Sequence, residues 1–315
     1  MIIINYVLIC FIFGTTFLTI KLGIEAGMPP LFSAGTRFLL AGILVISYFA
    51  YKKDVRRSLL FSKKVMMVGF CLTFMTFSTL YWAEQHVTSG LAAVLSATGP
   101  MMILLIQVMQ RKMELKKEQL FALLLAFTGV ICISLPNVTA TMSYSWTLGC
   151  IIIIIGEVFY GIGSNYSKAL LNELKEVSPF LINGIQMFYG GIFLLVLSLC
   201  TEQTHVSTIM PRNAVWSIVY LIFVGSIAGH GLYYWLIAQT NPIFPSTWLY
   251  VSPLIAVLIG YVVLNEAITP SIIGGGLLIL IGVFMANREA LGVHLKKVCY
   301  SKSSCKTSRH LLTCF

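Results

Sequence analysis

Long apolar runs separated by short polar breaks make up almost the whole chain. Ten runs stand out, each near the ~20 residues that an α-helix needs to cross the hydrocarbon core of a bilayer. They cover residues 2–23, 30–51, 65–83, 89–109, 118–135, 146–170, 179–200, 214–238, 244–264 and 270–287. The pattern predicts an all-α polytopic membrane protein with ten transmembrane helices.

The two halves of the chain repeat one order of residues. Tyr81-Trp82 recurs as Tyr234-Trp235, 153 residues later. Other matches keep this order at offsets of 147 to 153 residues: Gly14 with Gly161, Lys21 with Lys168, Pro30 with Pro179, Gly35 with Gly184, Gly42 with Gly191, Pro100 with Pro253, and Gly129 with Gly282. A fixed order of this kind favours an internal duplication.

Five helices per half is an odd number, so the second half has to enter the membrane from the opposite face. We therefore expect two inverted five-helix repeats, residues 1–137 and 138–287, followed by a basic cytoplasmic tail, residues 288–315. Inverted repeats are a recurring architecture of secondary transporters, whose substrate path lies at the repeat interface near the middle of the membrane.

Composition and charge agree with a membrane protein. Hydrophobic residues make up 58% and charged residues 10% of the 315 residues, whereas soluble domains carry roughly 25% charge. The net charge of +10 could indicate a nucleic-acid partner, but 18 of the 21 basic residues fall in cytoplasmic loops or in the tail if the N terminus is cytoplasmic. The positive-inside rule therefore predicts a multi-pass protein of the cytoplasmic membrane, with both termini inside and no nucleic-acid partner.

Three basic or acidic residues lie well away from the ends of predicted helices, where a charge is costly and therefore informative. Arg37, whose counterpart is the neutral Gln186, either recognises an anionic group or binds helix-end carbonyls and outer headgroups. Glu157 binds a substrate ammonium or carries a coupling proton; alternatively, it is a protonated residue hydrogen-bonded to a neighbouring helix. His230 relays protons or only bonds between helices. A direct Arg37–Glu157 pair is a further alternative.

Aromatic residues and prolines supply the remaining candidates, each with two interpretations. The aromatic residues wall a cavity for amphipathic solutes, or they form belts at the membrane interfaces. They are Tyr81, Trp82, Tyr160, Tyr234 and Trp235. Pro100 and Pro253 lie within the fourth and ninth predicted helices, where proline removes a backbone hydrogen bond. The resulting kinks serve as pivots or cavity walls, or serve packing alone.

Motifs of other function classes are absent from the sequence. The chain contains no Walker-type glycine-lysine loop, no HExxH motif and no GxSxG motif. Its eight cysteines are scattered and lack the spacing of zinc ligands. We therefore expect no cofactor, no metal and no enzymatic activity.

The ordered motifs resemble the EamA family of the drug/metabolite transporter superfamily. The residues that carry the resemblance are Gly14-Thr15-Thr16-Phe17 with Lys21, Ala34-Gly35-Thr36-Arg37, Ala92-Ala93 through Pro100, Ser252-Pro253 and Asn265-Glu266. The resemblance covers residues 4–286. It implies movement of drugs or metabolites, typically amino acids, across a bacterial cytoplasmic membrane, usually as export by alternating access around a largely apolar cavity. Two positions depart from the family: Phe13 replaces a frequent Trp, and Met113 an expected acidic residue.

The sequence thus predicts a secondary-type permease that exports small metabolites, amino-acid-like compounds or amphipathic drugs. Its expected partners are a small-molecule substrate and the lipid bilayer, with proton coupling through Glu157 or His230 as an open alternative. An importer or facilitator of the same solutes is the second hypothesis. A membrane-embedded enzyme acting on lipid-linked substrates is the alternative from another class, and the oligomeric state is not predicted.

Overall fold

The computed structural model describes residues 1–87, 89–114, 116–134, 143–202, 212–255, 270 and 273–288. Every regular element in these ranges is helical, which confirms the all-α prediction. The α-helices are α1 (Ile2–Glu25), α2 (Pro30–Tyr51), α3 (Arg57–Leu60), α4 (Lys63–Val68), α5 (Thr76–Ala83), α6 (Ser89–Ser96), α7 (Gly99–Met109), α8 (Lys117–Ser134), α9 (Tyr144–Glu173), α10 (Pro179–Thr201), α11 (Arg212–Tyr220), α12 (Gly231–Gln239), α13 (Ile243–Ile255) and α14 (Ile273–Arg288). The predicted tail lies outside the described residues except for Arg288.

Seven helices among the described residues are long and apolar enough to cross a membrane. They are Ile2–Glu25, Pro30–Tyr51, Arg57–Ala83, Leu91–Met109, Tyr144–Glu173, Pro179–Thr201 and Ala214–Gln239. Two shorter apolar helices, Ile243–Ile255 and Ile273–Arg288, follow them. The chain is therefore a multi-pass membrane protein, whereas the count of ten helices and the inversion of the halves stay predictions.

The third predicted helix of each half contains a π-helical segment that the sequence did not indicate. The segment π1 (Gly69–Met75) joins α4 to α5, and π2 (Leu221–His230) joins α11 to α12. The two segments lie at matching places in the two halves. Such segments inside α-helices often occur at functional sites.

The fourth predicted helix is interrupted. A turn at Ala97 and Thr98 separates α6 from α7, and Pro100 lies in the first turn of α7, a position where proline is well tolerated. Pro100 thus follows a break between two helical pieces. Pro253 is buried within α13, and the residues after Ile255 in the ninth predicted helix are outside the described ranges.

Helices α2 and α10 pack in antiparallel directions at very short range. A Cβ atom added to Gly42 would lie 2.6 Å from the backbone nitrogen of Phe188, and one added to Gly184 would lie 2.6 Å from Cγ1 of Val45. Near the other end of the contact, Gly191 lies against the backbone of Leu39. Small residues that allow backbones to approach are the usual means of helix association in membranes.

Helix α2 is also tied to α10 by a cap at its N-terminal end. The carboxylate of Glu202, which directly follows α10, accepts hydrogen bonds from the backbone N–H groups of Leu31 at 2.7 Å and Phe32 at 2.9 Å. Ser198 holds the carboxylate by donating to its Oε2 at 2.6 Å. The first N–H groups of a helix lack partners within the helix, so a residue from the second half of the chain satisfies two of them in the first half.

Helix α9 runs antiparallel to the span made by α4, π1 and α5. Gly149 of α9 faces Ala83 and Val87, Gly156 faces Thr79, and Gly163 faces Leu72. The start of α9 therefore lies beside the end of α5. These cross-half contacts enclose the central cavity described next.

Candidate substrate site

A small cavity lies between the two halves of the chain. Its volume is about 50 Å³, and residues of α1, α2, π1, α5, α6, α9, π2, α12 and α13 line it. Four of the predicted site residues reach it, namely Arg37, Glu157, Tyr160 and His230. We refer to this space as the central cavity.

Arg37 is a buried cation held by polar and aromatic groups. Its side chain is 1% exposed. Nε donates to Oγ of Ser226 at 2.8 Å, and Nη1 donates to the hydroxyl of Tyr81 at 3.1 Å. The guanidinium lies over the ring of Phe38 at 4.5 Å and near that of Phe77 at 5.4 Å. Cation–π contacts of this kind strengthen when they are desolvated, so the cavity keeps a positive charge in a defined position.

Glu157 places a carboxylate in the wall of the same cavity. The residue is 5% exposed, and its Oε2 atom has no hydrogen-bond partner among the described residues. The neighbouring hydroxyl of Ser96, at the end of α6, interacts with the Glu157 carboxyl group and has no other partner among the described residues. A Cβ atom on Gly99 would lie 2.6 Å from Oε2 of Glu157. The carboxylate therefore faces the break between α6 and α7.

Arg37 and Glu157 line one cavity but do not pair with each other. Within the described ranges, the ion pair between Lys64 and Glu173 is the only one. The alternative of a direct Arg37–Glu157 pair is therefore not realised in this structure. A buried polar group without a partner carries a large free-energy cost, so the unsatisfied Glu157 oxygen is available to a ligand.

His230 lies in an aromatic cluster and makes no ion pair in the described part of the chain. Its ring centroid is 5.0 Å from that of Phe13 and 5.6 Å from those of Phe38 and Phe77, all in edge-on geometry. Trp248 extends the cluster, with its centroid 4.4 Å from that of Phe13. These rings make one side of the cavity apolar.

A hydrogen-bonded cluster closes the opposite end. Tyr160 donates to the hydroxyl of Tyr233 at 2.8 Å, and Oγ of Ser164 lies 3.1 Å from the same hydroxyl. One turn further, the hydroxyls of Ser167 and Tyr234 are 3.1 Å apart. The cluster joins α9 to α12, so Tyr234 serves closure and does not line the cavity.

The remaining predicted residues lie elsewhere. Gln186 accepts from Thr73 at 2.6 Å and donates to Asn183 at 3.0 Å, between π1 and α10. Trp82 and Trp235 are partly buried at the edge of the core and do not line the cavity. Tyr81 contributes through its bond to Arg37.

Sequence reasoning did not assign one wall of the cavity, the face of α1 formed by Phe13, Thr16, Phe17 and Ile20. Their spacing of three and four residues puts them on one face of a helix. That periodicity was the available signal, but an apolar face on a membrane helix also packs against lipid. Trp248 was missed for the same reason.

Comparison with known families gives this geometry its context. The family model described as "EamA-like transporter family" matches residues 1–135 and 147–288, nearly the whole chain up to the tail. The chain belongs to the EamA-like transporter family. The predicted resemblance is thereby confirmed, and the chain is a membrane transporter of this family.

Relatives of this EamA-like transporter carry transporter names. The "Uncharacterized inner membrane transporter YedA" of Escherichia coli K12 is 29% identical over 258 residues, which cover 79% of this chain and 78% of the relative. The "Probable terminal-alkyne amino-acid exporter" of Streptantibioticus cattleyicolor is 26% identical over 215 residues, 68% of this chain and 69% of that protein. The class is thus that of transporters.

A solved structure also has the same overall fold. It carries the description "Crystal structure of protein" and matches with a TM-score of 0.71 at 15% identity, over 92% of this chain and 97% of that chain. At this identity the likeness concerns the fold alone.

Proposed function

We propose that this EamA-like transporter exports small zwitterionic or amphipathic metabolites, with amino-acid-like compounds as the first class, by alternating access. The observation that carries the proposal is that the guanidinium of Arg37 and the carboxyl group of Glu157 line one cavity and do not bond to each other. In this assignment Arg37 binds the carboxylate of the substrate, and Glu157 with Ser96 binds its ammonium group. The aromatic residues around His230 accept the apolar side chain.

The size of the cavity supports a cycle with a closed stage. By the measure in which one water needs about 10–15 Å³, a cavity of about 50 Å³ has room for roughly four waters. An amino acid has more heavy atoms than this space accommodates. The walls therefore have to separate for loading and for release, as alternating access requires.

Several observations support two inverted halves, residues 1–137 and 138–287, as the moving parts. The family model matches two segments, residues 1–135 and 147–288. Both halves have a π-helical segment in the third predicted helix. The distribution of Lys and Arg supports the orientation with both termini in the cytoplasm.

The direction of transport and the coupling ion belong to the same proposal. The printed name of the Streptantibioticus cattleyicolor relative is that of an amino-acid exporter, which supports export and makes amino acids the first compounds to test. Glu157 is the carrier we propose for a coupling proton because its Oε2 lacks a partner. His230, among three phenylalanine rings, is the second candidate.

Transport by inverted membrane vesicles tests the proposal. We expect vesicles that contain the protein to accumulate members of an amino-acid and amphipathic-drug panel, and to lose them when the pH gradient is collapsed. Movement only in the opposite direction would establish the importer hypothesis. Equilibration that is independent of the pH gradient would establish a facilitator, and either result would overturn coupled export.

Two variants assign the charged groups. Glu157→Gln keeps the size of the side chain and is expected to abolish pH-dependent transport at unchanged expression. Arg37→Met is expected to lose transport of compounds with a carboxylate and to retain transport of cationic amphipathic compounds. The matched control is Lys63→Met, which removes an exposed cation that does not line the cavity and is expected to behave as the unmodified protein. Unchanged pH dependence in Glu157→Gln would remove this residue from the coupling role.

A further inference from the structure

Two lysines outside the central cavity make the same contact at matching places in the two halves. Nζ of Lys21, on α1, donates to the backbone carbonyl oxygen of Glu84 at 2.9 Å, at the end of α5. Nζ of Lys168, on α9, donates to the carbonyl oxygens of Ile237 at 2.9 Å and Ala238 at 3.0 Å, near the end of α12. In each half, a lysine of the first helix thus bonds the C-terminal end of the third.

The two contacts lie at opposite ends of the protein. Lys21 bonds the end of α5, and the start of α9 lies at that same end because Gly149 faces Ala83. Lys168 comes 19 residues after Gly149, which is about 28 Å along the axis of a helix. The ends of α1 and α9 therefore point to opposite faces.

The central cavity lies between the two lysines. Ile20, which is next to Lys21, and Leu80, which is one turn before Glu84, line one end of the cavity. Tyr160 and Tyr233 line the other end, and the bond between Ser167 and Tyr234 separates them from Lys168. We call these the Lys21 end and the Lys168 end of the cavity.

The last carbonyls of a helix lack partners within the helix and attract cations. A lysine that bonds them fixes one helix against another, and water replaces the lysine when the helices separate. Both contacts are present here together with a central cavity of about 50 Å³, which is too small for a metabolite.

The Lys21 end differs from the Lys168 end in one buried acid. The side chain of Glu84 is 0% exposed, and neither carboxylate oxygen has a hydrogen-bond partner among the described residues. The counterpart of Glu84 in the second half is the apolar Ile237. Glu84 follows the last residue of its membrane span, and burial raises its pKa to about 8, although Lys21 opposes the rise.

Few other ionisable groups face Glu84. Lys21 approaches from α1, and Glu25, one turn further, is exposed. Tyr81 precedes Glu84 on its own helix and is bonded to Arg37 of α2. On α9 the contact at this level is Gly149, which has no ionisable group. Ionised Glu84 attracts Lys21 and protonated Glu84 does not, so the Lys21 contact is strongest above the pKa of Glu84 and weakens as the pH falls through it.

We propose that Lys21 and Lys168 are paired latches of the transport cycle, Lys21 holding the predicted outer end of the cavity closed and Lys168 the inner end, with Glu84 making the outer latch sensitive to protons. The proposal rests on the proposed alternating access. It assigns positioning roles, because neither lysine touches the central cavity.

A cysteine reporter in the cavity tests the latches without knowledge of the substrate. The eight native cysteines are replaced, and Thr16→Cys places one thiol in the cavity wall. A membrane-impermeant maleimide is then applied from the outer face in right-side-out vesicles and from the inner face in inverted vesicles. Lys21→Met is expected to speed labelling from the outside and Lys168→Met from the inside. The change should be on the order of fivefold for Lys21→Met, which loses one hydrogen bond, and larger for Lys168→Met, which loses two.

Three comparisons separate a latch from a general loss of structure. Lys21→Arg and Lys168→Arg keep a donor and are expected to restore slow labelling. Lys63→Met, which removes an exposed cation, is expected to leave both rates unchanged. For each pH, the labelling rate is divided by that of the same thiol in unfolded protein, because the thiolate is the reactive form. Glu84→Gln is expected to raise this relative rate from the outside at pH 9 to the value that the unmodified protein reaches at pH 7, and to remove its dependence on pH. Thermal unfolding in detergent identifies any variant that has lost its fold.

Unchanged labelling in both lysine variants, or a change on the same face in both, would overturn the latches. A pH response that persists in Glu84→Gln would overturn the role of Glu84. Labelling that follows the prediction while no panel compound is transported would reject the substrate class and leave the latches standing. If transport is confirmed but labelling is unchanged in both lysine variants, the latches alone are rejected.

Discussion

The Lys21 end and the Lys168 end of the central cavity occupy matching places in the two halves, yet their side chains differ in kind. At the Lys21 end, Phe17, Ile20 and Leu80 line the cavity. Their counterparts are Ser164, Ser167 and Tyr233, whose hydroxyl groups join α9 to α12. Similar backbones thus carry an apolar wall in one half and a hydrogen-bonded closure in the other.

Under the proposed alternating access, the two ends would carry different costs of opening. Opening the Lys21 end would expose apolar surface to water, which is unfavourable. Opening the Lys168 end would replace hydrogen bonds between hydroxyl groups by hydrogen bonds to water. The contacts between α2 and α10, in contrast, use the same kind of residue in both halves.

The largest expected effect concerns the contact between α2 and α10, where the two halves use the same kind of residue. Gly42→Ala and Gly191→Ala each introduce a Cβ atom against backbone of the opposite helix. Because backbone cannot move aside as a side chain can, we expect each to lower the free energy of unfolding by about 2–3 kcal/mol. Denaturant titration in detergent measures this effect.

The control for the α2–α10 contact is Gly274→Ala. A Cβ atom there meets no described residue within 4 Å, so we expect a change within about 0.5 kcal/mol. If Gly42→Ala were as harmless as Gly274→Ala, the close approach of α2 and α10 would be disproved. If only one of Gly42→Ala and Gly191→Ala lowered the free energy of unfolding, the halves would differ even in the α2–α10 contact.

A smaller effect is expected where the halves differ. Tyr233→Phe removes the hydroxyl that bonds both Tyr160 and Ser164. We expect labelling of the Thr16→Cys reporter from the inner face to rise by about threefold to tenfold, as for the loss of one or two hydrogen bonds. Tyr220→Phe is the matched control, because its hydroxyl bonds Thr15 at 2.6 Å between α11 and α1. Equal labelling in the two variants would contradict a specific closure at the Lys168 end.

The smallest effect concerns the helix caps. The N terminus of α2 is capped by Glu202, whereas Ser178, at the corresponding place of α10, makes no side-chain cap. Glu202→Ala is expected to lower the free energy of unfolding by about 1 kcal/mol, and Ser178→Ala to leave it unchanged. Denaturant midpoints of both variants test this, and equal losses would show that the cap is not the source of the difference.

Local information in the sequence determined the class of this protein. The length and hydropathy of each run predict a membrane helix because crossing the bilayer depends on some twenty neighbouring residues. The order of Tyr81-Trp82 and Pro100 against Tyr234-Trp235 and Pro253 indicated a duplication. Buried charges indicated Arg37 and Glu157, since hydrocarbon penalises an ion wherever its helix packs.

The tertiary structure decided which of these residues meet. Glu157 faces Gly99, and Arg37 reaches Ser226, 189 residues away in the chain. Lys21 and Glu84 drew no functional assignment because their meaning depends on the end of the cavity at which they lie. Contacts between distant helices arise from packing, and no pattern within one helix contains them.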